Sequence, residues 1–156
     1  MKTIGVISDT HGVLRPEAAK ALRGVDIIIH AGDVGRRDVL EALREIAPVF
    51  AVRGNVDYEM WAQTLPLTER VQVDQHLIFV LHDVHQLGLN IADQGIAAVI
   101  SGHSHKPTVE HRHGVLYLNP GSAGPRRFHL PASVALIRVT ARGLEPKIIE
   151  LKVADT

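Results

Sequence analysis

Lys2-Thr3-Ile4-Gly5-Val6-Ile7-Ser8-Asp9-Thr10-His11-Gly12 is an apolar run that stops on a carboxylate, an imidazole and a glycine. Residues 2–8 read as a buried strand. Asp9 and His11, two apart in extended chain, point the same way at its end. The pattern returns twice. Residues 25–30 form a second apolar strand followed by Gly32-Asp33, and residues 48–53 a third followed by Gly54-Asn55-Val56-Asp57. Between them, residues 16–23 read as a short helix, with Pro16 suited to its first turn and Gly24 to its end. Residues 36–46 read as an amphipathic helix with Val39, Leu40, Leu43 and Ile46 on one face. This β-α-β-α-β order predicts a parallel sheet with right-handed crossovers.

The second half is richer in strands. Residues 69–74 and 77–81 read as two strands meeting at a short turn, 86–93 as a helix ended near Gly95, and 96–100 as a buried strand. Residues 109–112 and 115–119 flank His113-Gly114, and 133–140 and 144–151 flank Arg142-Gly143, two hairpins. A chain that starts parallel and finishes antiparallel predicts an α/β fold of two mixed sheets packed face to face, with helices outside.

All 156 residues fit one domain, with no repeat or linker. Hydrophobic residues at 46% and charged residues at 22% are ordinary for a globular chain. The absence of cysteine excludes disulfide scaffolds, thiol nucleophiles and iron–sulfur sites. Apolar runs of about five residues are too short to span a bilayer or to form a signal-peptide core, so a soluble, cytoplasmic protein is expected, with no membrane partner. Lys+Arg and Asp+Glu both number 17, which disfavours nucleic acid as a partner; with few aromatics there is no platform for bases along a strand. No P-loop is present, and Pro120 breaks the Gly-x-Ser-x-Gly pattern around Ser122.

Ten histidines are many for this length, and their positions carry chemistry. His82 follows the 77–81 strand, and Gly102-His103-Ser104-His105 follows the 96–100 strand. Ligands in α/β sheets bind outside the carboxyl ends of the strands, so five strand ends should deliver Asp9, His11, Asp33, Asn55, His82, His103 and His105 to one crevice. Seven donors exceed one tetrahedral ion and fit two if a carboxylate bridges; Asp33, taken as the carboxylate of the central strand, is the candidate bridge. Two divalent ions roughly 3.5–4 Å apart suit in-line displacement at phosphorus. Without cations, clustering two carboxylates should raise the pKa of at least one.

Asp9-Thr10-His11, Gly32-Asp33, Gly54-Asn55-Val56-Asp57, His82 and Gly102-His103-Ser104-His105 together resemble the calcineurin-like metallophosphoesterases, and within them the small bacterial and archaeal phosphodiesterases of the YfcE type. Asn119-Pro120-Gly121-Ser122 with Pro125-Arg126 also resembles that subfamily. The resemblance implies a four-layer α/β/β/α sandwich with a binuclear site. It places Asp9, His11, Asp33 and His105 on a first ion, and Asp33, Asn55, His82 and His103 on a second. A hydroxide between the ions would attack phosphorus, and Asn55 would also touch the substrate phosphate. The thiolate-free ligand set favours Mn²⁺, with Fe, Ni or Zn as alternatives.

Two departures from the family stand out. Val56 occupies the place of a histidine that in many relatives acts near the leaving group. Asp83 follows His82 where relatives usually have glycine, and either tunes the second ion from outside or points to solvent. Asp57 is carried with Asn55 as a catalytic candidate; it orients the Asn55 loop or caps a turn. Arg126, beside Arg127, is a candidate phosphate contact or a solvated loop residue. His30 reads as a buried hydrogen-bonding histidine, His85 as reaching the site or starting a helix, and His76, His111, His113 and His129 as solvated. The expected function is a binuclear metal-dependent phosphodiesterase acting on a small phosphoester. The main rival is a non-catalytic protein-binding scaffold, since the family includes a retromer coat subunit that resembles these enzymes; a nuclease is the third reading. A homo-oligomer stays open.

Overall fold

The computed structural model describes residues 2–88, 94–126 and 129–153. β1 (Lys2–Ile7), β2 (Ile27–His30) and β3 (Val49–Ala51) alternate with helices α1 (Pro16–Ala21) and α2 (Arg37–Arg44). β4 (Thr68–Val73), β5 (His76–Leu81), β6 (Ile96–Ile100), β7 (Thr108–Arg112), β8 (Val115–Asn119), β9 (Ser133–Thr140) and β10 (Gly143–Glu150) follow. They form two five-stranded mixed sheets, ordered β10-β9-β1-β2-β3 and β4-β5-β6-β8-β7. β1, β2 and β3 are parallel in the first sheet, and β5, β6 and β8 in the second. Their carboxyl ends therefore share one edge in each sheet.

The two expected mixed sheets are present and pack face to face. Ile4, Val6, Ile29, Ala135 and Ile137 from one meet Val71, Ile78, Val80, Ala98, Ile100, Leu116 and Leu118 from the other. The first sheet's outer face is covered by the two helices through Ala18, Leu22, Val39, Leu40 and Leu43. α2 splits as its sequence demands: Val39, Leu40 and Leu43 are buried while Arg37 and Glu41 pair at 3.7 Å on the solvent side. The second sheet's outer face carries Phe79, Leu81, Ile96, Val99 and Val115, packed with Val84 and Leu87. The helix expected over residues 86–93 lies largely outside the described residues; the described part is a single 3-10 turn, Val84–Gln86, after which Leu87 and Gly88 are not helical. A second 3-10 segment, Met60–Thr64, carries no amphipathic signal and has no counterpart in the sequence reading.

Edge strands carry polar and proline residues that discourage pairing with another chain. β7 exposes Glu110, His111 and Arg112, and β10 places Pro146 opposite Ile137. The inter-sheet core holds the strand ends in place, so truncation there is costly. Ile29, fully buried, should lose about 2–5 kcal/mol of stability on replacement by alanine in urea unfolding. Val109→Ala on the exposed edge should change it by less than about 0.5 kcal/mol. Equal losses at the two positions would contradict this packing.

Candidate metal centre

Where the strands end, the backbone keeps pairing. Asp9 N–H donates to Gly32 O at 3.0 Å, His11 N–H to Asp33 O at 3.0 Å and Gly12 N–H to Val34 O at 2.7 Å, extending the β1–β2 ladder into the loops. In the second sheet Gly102 N–H donates to His82 O at 2.9 Å. The two sheets are then tied together at this edge: His103 N–H donates to Asp9 Oδ2 at 3.1 Å, and His82 Nδ1 to Ala31 O at 2.8 Å. The approach is close enough that a Cβ on Gly102 would lie 2.0 Å from Ser8 Oγ and 2.6 Å from Asp9 Oδ2. Only glycine fits there.

Asp9, His11, Asp33, His103 and His105 all sit in left-handed backbone, with φ of 54°, 48°, 55°, 72° and 64°. Each such residue costs of order 1–3 kcal/mol, and such strain concentrates at functional sites. Five of the seven sequence-derived candidates share it.

The side chains converge. Asp9 is fully buried; its Oδ2 accepts from Ser8 Oγ at 2.7 Å, and its Oδ1 lies 3.3 Å from His105 Nε2, 3.8 Å from His11 Nε2 and 3.9 Å from His82 Nε2. Asp33 divides its oxygens likewise. Oδ1 accepts from Val56 N–H at 3.0 Å, and Oδ2 lies 3.1 Å from His82 Nε2 and 3.6 Å from His11 Nε2. Asp9, His11 and His105 form one group able to hold an ion, and Asp9, Asp33 and His82 another. The central strand of the first sheet is β1, not β2, so Asp9 rather than Asp33 occupies the central strand end and belongs to both groups. That corrects the positional reason given above for choosing Asp33.

Asp9 Oδ1, His11 Nε2 and His82 Nε2 are buried and have no hydrogen-bond partner among the described residues. Buried polar atoms are rarely left so, and here one explanation covers all three, because carboxylate oxygen and imidazole nitrogen are donors for a divalent cation. The His82 tautomer agrees: its Nδ1–H is spent on Ala31 O, which leaves the Nε2 lone pair facing the carboxylates. The donor set fits a metal.

Neither carboxylate has the raised pKa expected of an empty cluster. Burial pushes the Asp9 pKa up, but His105, His11, His82 and the Ser8 hydroxyl outweigh it and hold it below the usual carboxylate range. Asp33 is also held low, its burial outweighed by His82 and the Val56 N–H. His82 moves the other way: burial opposes its charge, yet Asp33, Asp9 and the Ala31 carbonyl raise its pKa. The same two carboxylates that would share a cation with His82 are what favour its charged form.

The remaining candidates lie around this centre. His103 is on the rim, its side chain 44% exposed, with its ring centroid 5.2 Å from that of His82. Asn55 is exposed on the loop after β3, next to Val56. Asp83 turns toward the site, with Oδ2 3.9 Å from His103 Nε2 and Oδ1 accepting from His85 N–H and Nδ1. Asp57 is buried and accepts three backbone N–H bonds, from Val34 at 3.1 Å, Gly35 at 3.0 Å and Gly54 at 2.9 Å, so it ties the Asp33 loop to the Asn55 loop. Arg126 is exposed on the loop that Ser122 Oγ joins to Asp9 O at 3.1 Å; Arg127 lies outside the described residues. His111, His113 and His129 are exposed, whereas His76 is half-buried with Nε2 shielded from water.

Sequence reasoning missed Asn119 and Thr10 as polar braces, while His30 is the buried hydrogen-bonding histidine it expected. Asn119 Nδ2 donates to Gly102 O at 2.9 Å and Ser104 Oγ at 3.1 Å, fixing the loop that carries His103 and His105. Thr10 Oγ1 donates to Val34 O at 2.8 Å and meets His30 Nε2 at 3.0 Å, while Gly32 N–H donates to His30 Nδ1 at 3.1 Å. His30 therefore joins the Asp9 and Asp33 loops as a neutral ring.

The chain matches the family model described as the calcineurin-like phosphoesterase superfamily domain over residues 1–142. It belongs to that superfamily. A probable metallophosphoesterase of Methanocaldococcus jannaschii is 37% identical, the match covering 96% of this chain and 81% of that one. Phosphodiesterase YfcE of Escherichia coli is 31% identical over 83% of this chain and 84% of its own length. Among solved structures, one described as a novel archaeal phosphodiesterase has a TM-score of 0.79 at 25% identity, covering 96% of this chain and 99% of that one. Chaetomium thermophilum Vps29 has a TM-score of 0.75 at 20% identity, covering 97% of both, and shares the fold. The family is metal-dependent, and these matches support a phosphoesterase. No helix among the described residues is long and apolar enough to cross a membrane.

Burial depresses the His30 pKa from 6.5 to about 4. Between these values the unfolded chain binds a proton that the folded chain refuses, so stability should fall as pH drops from 6.5 toward 4, by on the order of 3 kcal/mol from this residue. Above pH 6.5 its contribution should be constant. In a histidine NMR titration the His30 ring should protonate only near pH 4; titration near 6.5 would contradict the bridging geometry.

Proposed function

We propose that this phosphoesterase is a phosphodiesterase that hydrolyses a small phosphoester with two divalent ions, Mn²⁺ favoured over Fe, Ni or Zn. Asp9, His11, Asp33 and His105 would hold the first ion, and Asp33, Asn55, His82 and His103 the second. Bound ions would supply an activated water for attack on phosphorus and offset charge on the phosphate oxygens. The observation that carries the reading is the trio of buried, unpartnered atoms, Asp9 Oδ1, His11 Nε2 and His82 Nε2, turned inward around two carboxylates. Support for Asp33 as the shared ligand comes from Oδ2, which has one histidine of each ion's set within 4 Å: His11 at 3.6 Å and His82 at 3.1 Å.

The chain's own residues divide the remaining work. Asn55, exposed on the loop after β3, would touch the substrate phosphate, and Asp57 would act by fixing that loop against the Asp33 loop. Arg126 is the candidate for an outer phosphate oxygen. Val56 has no proton to give a departing alkoxide, which favours substrates with good leaving groups such as aryl phosphates. The scaffold alternative leans on the likeness to Vps29 and requires no turnover.

Purified protein with Mn²⁺ should hydrolyse an aryl phosphodiester. Asp33→Asn should lower kcat/KM by at least about a hundredfold, the upper end of what losing a mere supporting partner costs. Unchanged activity in that variant would sink the proposal and leave the scaffold. Saturating Mn²⁺, at about a hundred times its Kd, should stabilise the fold by about 2.7 kcal/mol for each ion bound in a melt. Imidazole and carboxylate ligands bind metal only when deprotonated, so affinity should rise with pH. Calorimetry in buffers of different ionisation enthalpy should detect proton release; identical heats would contradict it.

A further inference from the structure

A cavity of about 210 Å³ opens beside His103 on the outer face of the second sheet, and the chemistry above makes no use of it. His103 and Ser104 form the wall nearest the metal centre, Val84 and Tyr117 are apolar lining, and Glu110 and Arg112 of β7 close another side. Period-two alternation puts Glu110 and Arg112 on one face of β7, where Glu110 pairs across the ladder with Tyr117.

The β7 side is built as a stack. The Arg112 guanidinium lies 4.9 Å from the centroid of the Tyr117 ring. Glu110 Oε2 accepts from Arg112 Nε at 3.0 Å and from Nη2 at 2.6 Å, which fixes the guanidinium plane. A guanidinium so held offers a planar surface to a second flat group, and 60% of the Arg112 side chain is exposed. Its charge is matched by Glu110, and Asp83 lines the cavity as well, so the space suits an uncharged ring better than a second anion. Near His103, Ser104 Oγ accepts from Asn119 Nδ2 at 3.1 Å and Lys106 N–H at 3.3 Å, keeping its hydroxyl proton for a ligand.

We propose that this cavity is the subsite for an uncharged planar aromatic group, of nucleobase size, carried by the phosphoester and stacked against the Arg112–Tyr117 pair. The inference rests on the phosphodiesterase reading and adds the class of ester group. His103 lines the cavity and has its ring centroid 5.2 Å from that of His82, so the substituent of a phosphate held at the metal centre would lie beside the cavity. The volume is below the roughly 300–1,000 Å³ of sites for drug-sized ligands, which suits one ring system. Apolar contact with Val84 and Tyr117 takes the ring out of water.

The test compares adenosine 5′-monophosphate with ribose 5-phosphate as competitive inhibitors of aryl phosphodiester hydrolysis. The two share phosphate and sugar and differ by the base. The nucleotide should have a Ki at least about fivefold lower, the low end of what stacking a base contributes. In Arg112→Ala and Tyr117→Ala that ratio should fall to within about twofold of unity. Arg112→Lys keeps the charge and loses the plane, so it should lose the preference too. Amide shifts of the metal-free protein titrated with adenosine 5′-monophosphate read the cavity without turnover, and Val84, Ser104 and Tyr117 should move. Equal Ki values, a preference kept by Arg112→Lys, or shifts absent from the cavity would overturn the subsite while leaving the phosphodiesterase intact. Absent hydrolysis alongside shifts at the cavity would overturn the phosphodiesterase reading and leave an aromatic-binding pocket.

Discussion

The carboxylate of Asp9 is the constraint on which the rest depends. One oxygen is held by the Ser8 hydroxyl and by the N–H of His103, a residue of the other sheet. That leaves the second oxygen aimed at three imidazoles from three loops. A buried anion with three ring nitrogens around it is stable only while something positive sits among them, a proton or a metal ion. The molecule is thus organised to concentrate unsatisfied negative charge at one point and to keep it dry.

Holding that arrangement takes the whole fold. The left-handed residues at the strand ends are unfavourable on their own, so rigid neighbours must impose them. The inter-sheet core fixes how the two carboxyl edges face each other, and the loop hydrogen bonds carry strand register a few residues past the sheet. His30, Asp57 and Asn119 then brace the loops, each with both polar ends of its side chain engaged. The contrast separates the two kinds of buried polar group: braces are satisfied by the protein, whereas the inward-facing atoms of Asp9, His11 and His82 are not.

Much of this could be read from local patterns. Apolar runs that stop on Asp, Asn or His announce both the strands and what their ends deliver. The extended-chain reason for pairing residues two apart does not hold: Asp9, His11, His103 and His105 are all left-handed, and His103 stands beside His82 while His105 stands beside Asp9 and His11. Long-range order could not be read that way. β9 inserts beside β1, from over a hundred residues away, and makes Asp9 rather than Asp33 the central carboxylate. Nothing near Asp33 in the chain signals that. The low carboxylate pKa values were hidden for the same reason, since they depend on which histidines face them. Asn119 and Thr10 act through backbone groups of distant loops, and the 3-10 segment Met60–Thr64 has too few turns to show a periodicity. Conversely, Asp57 shows how a polar residue in a motif can serve geometry: both of its oxygens are taken by amides.

The most direct measurement is anomalous diffraction at the manganese edge from crystals grown with Mn²⁺. Two peaks should appear at the carboxyl edge of the paired sheets, one within bonding distance of Asp9, His11 and His105, the other of His82 and His103, with Asp33 touching both. A centre without a peak, or manganese bound elsewhere with Asp9 Oδ1 still unpartnered, would contradict it.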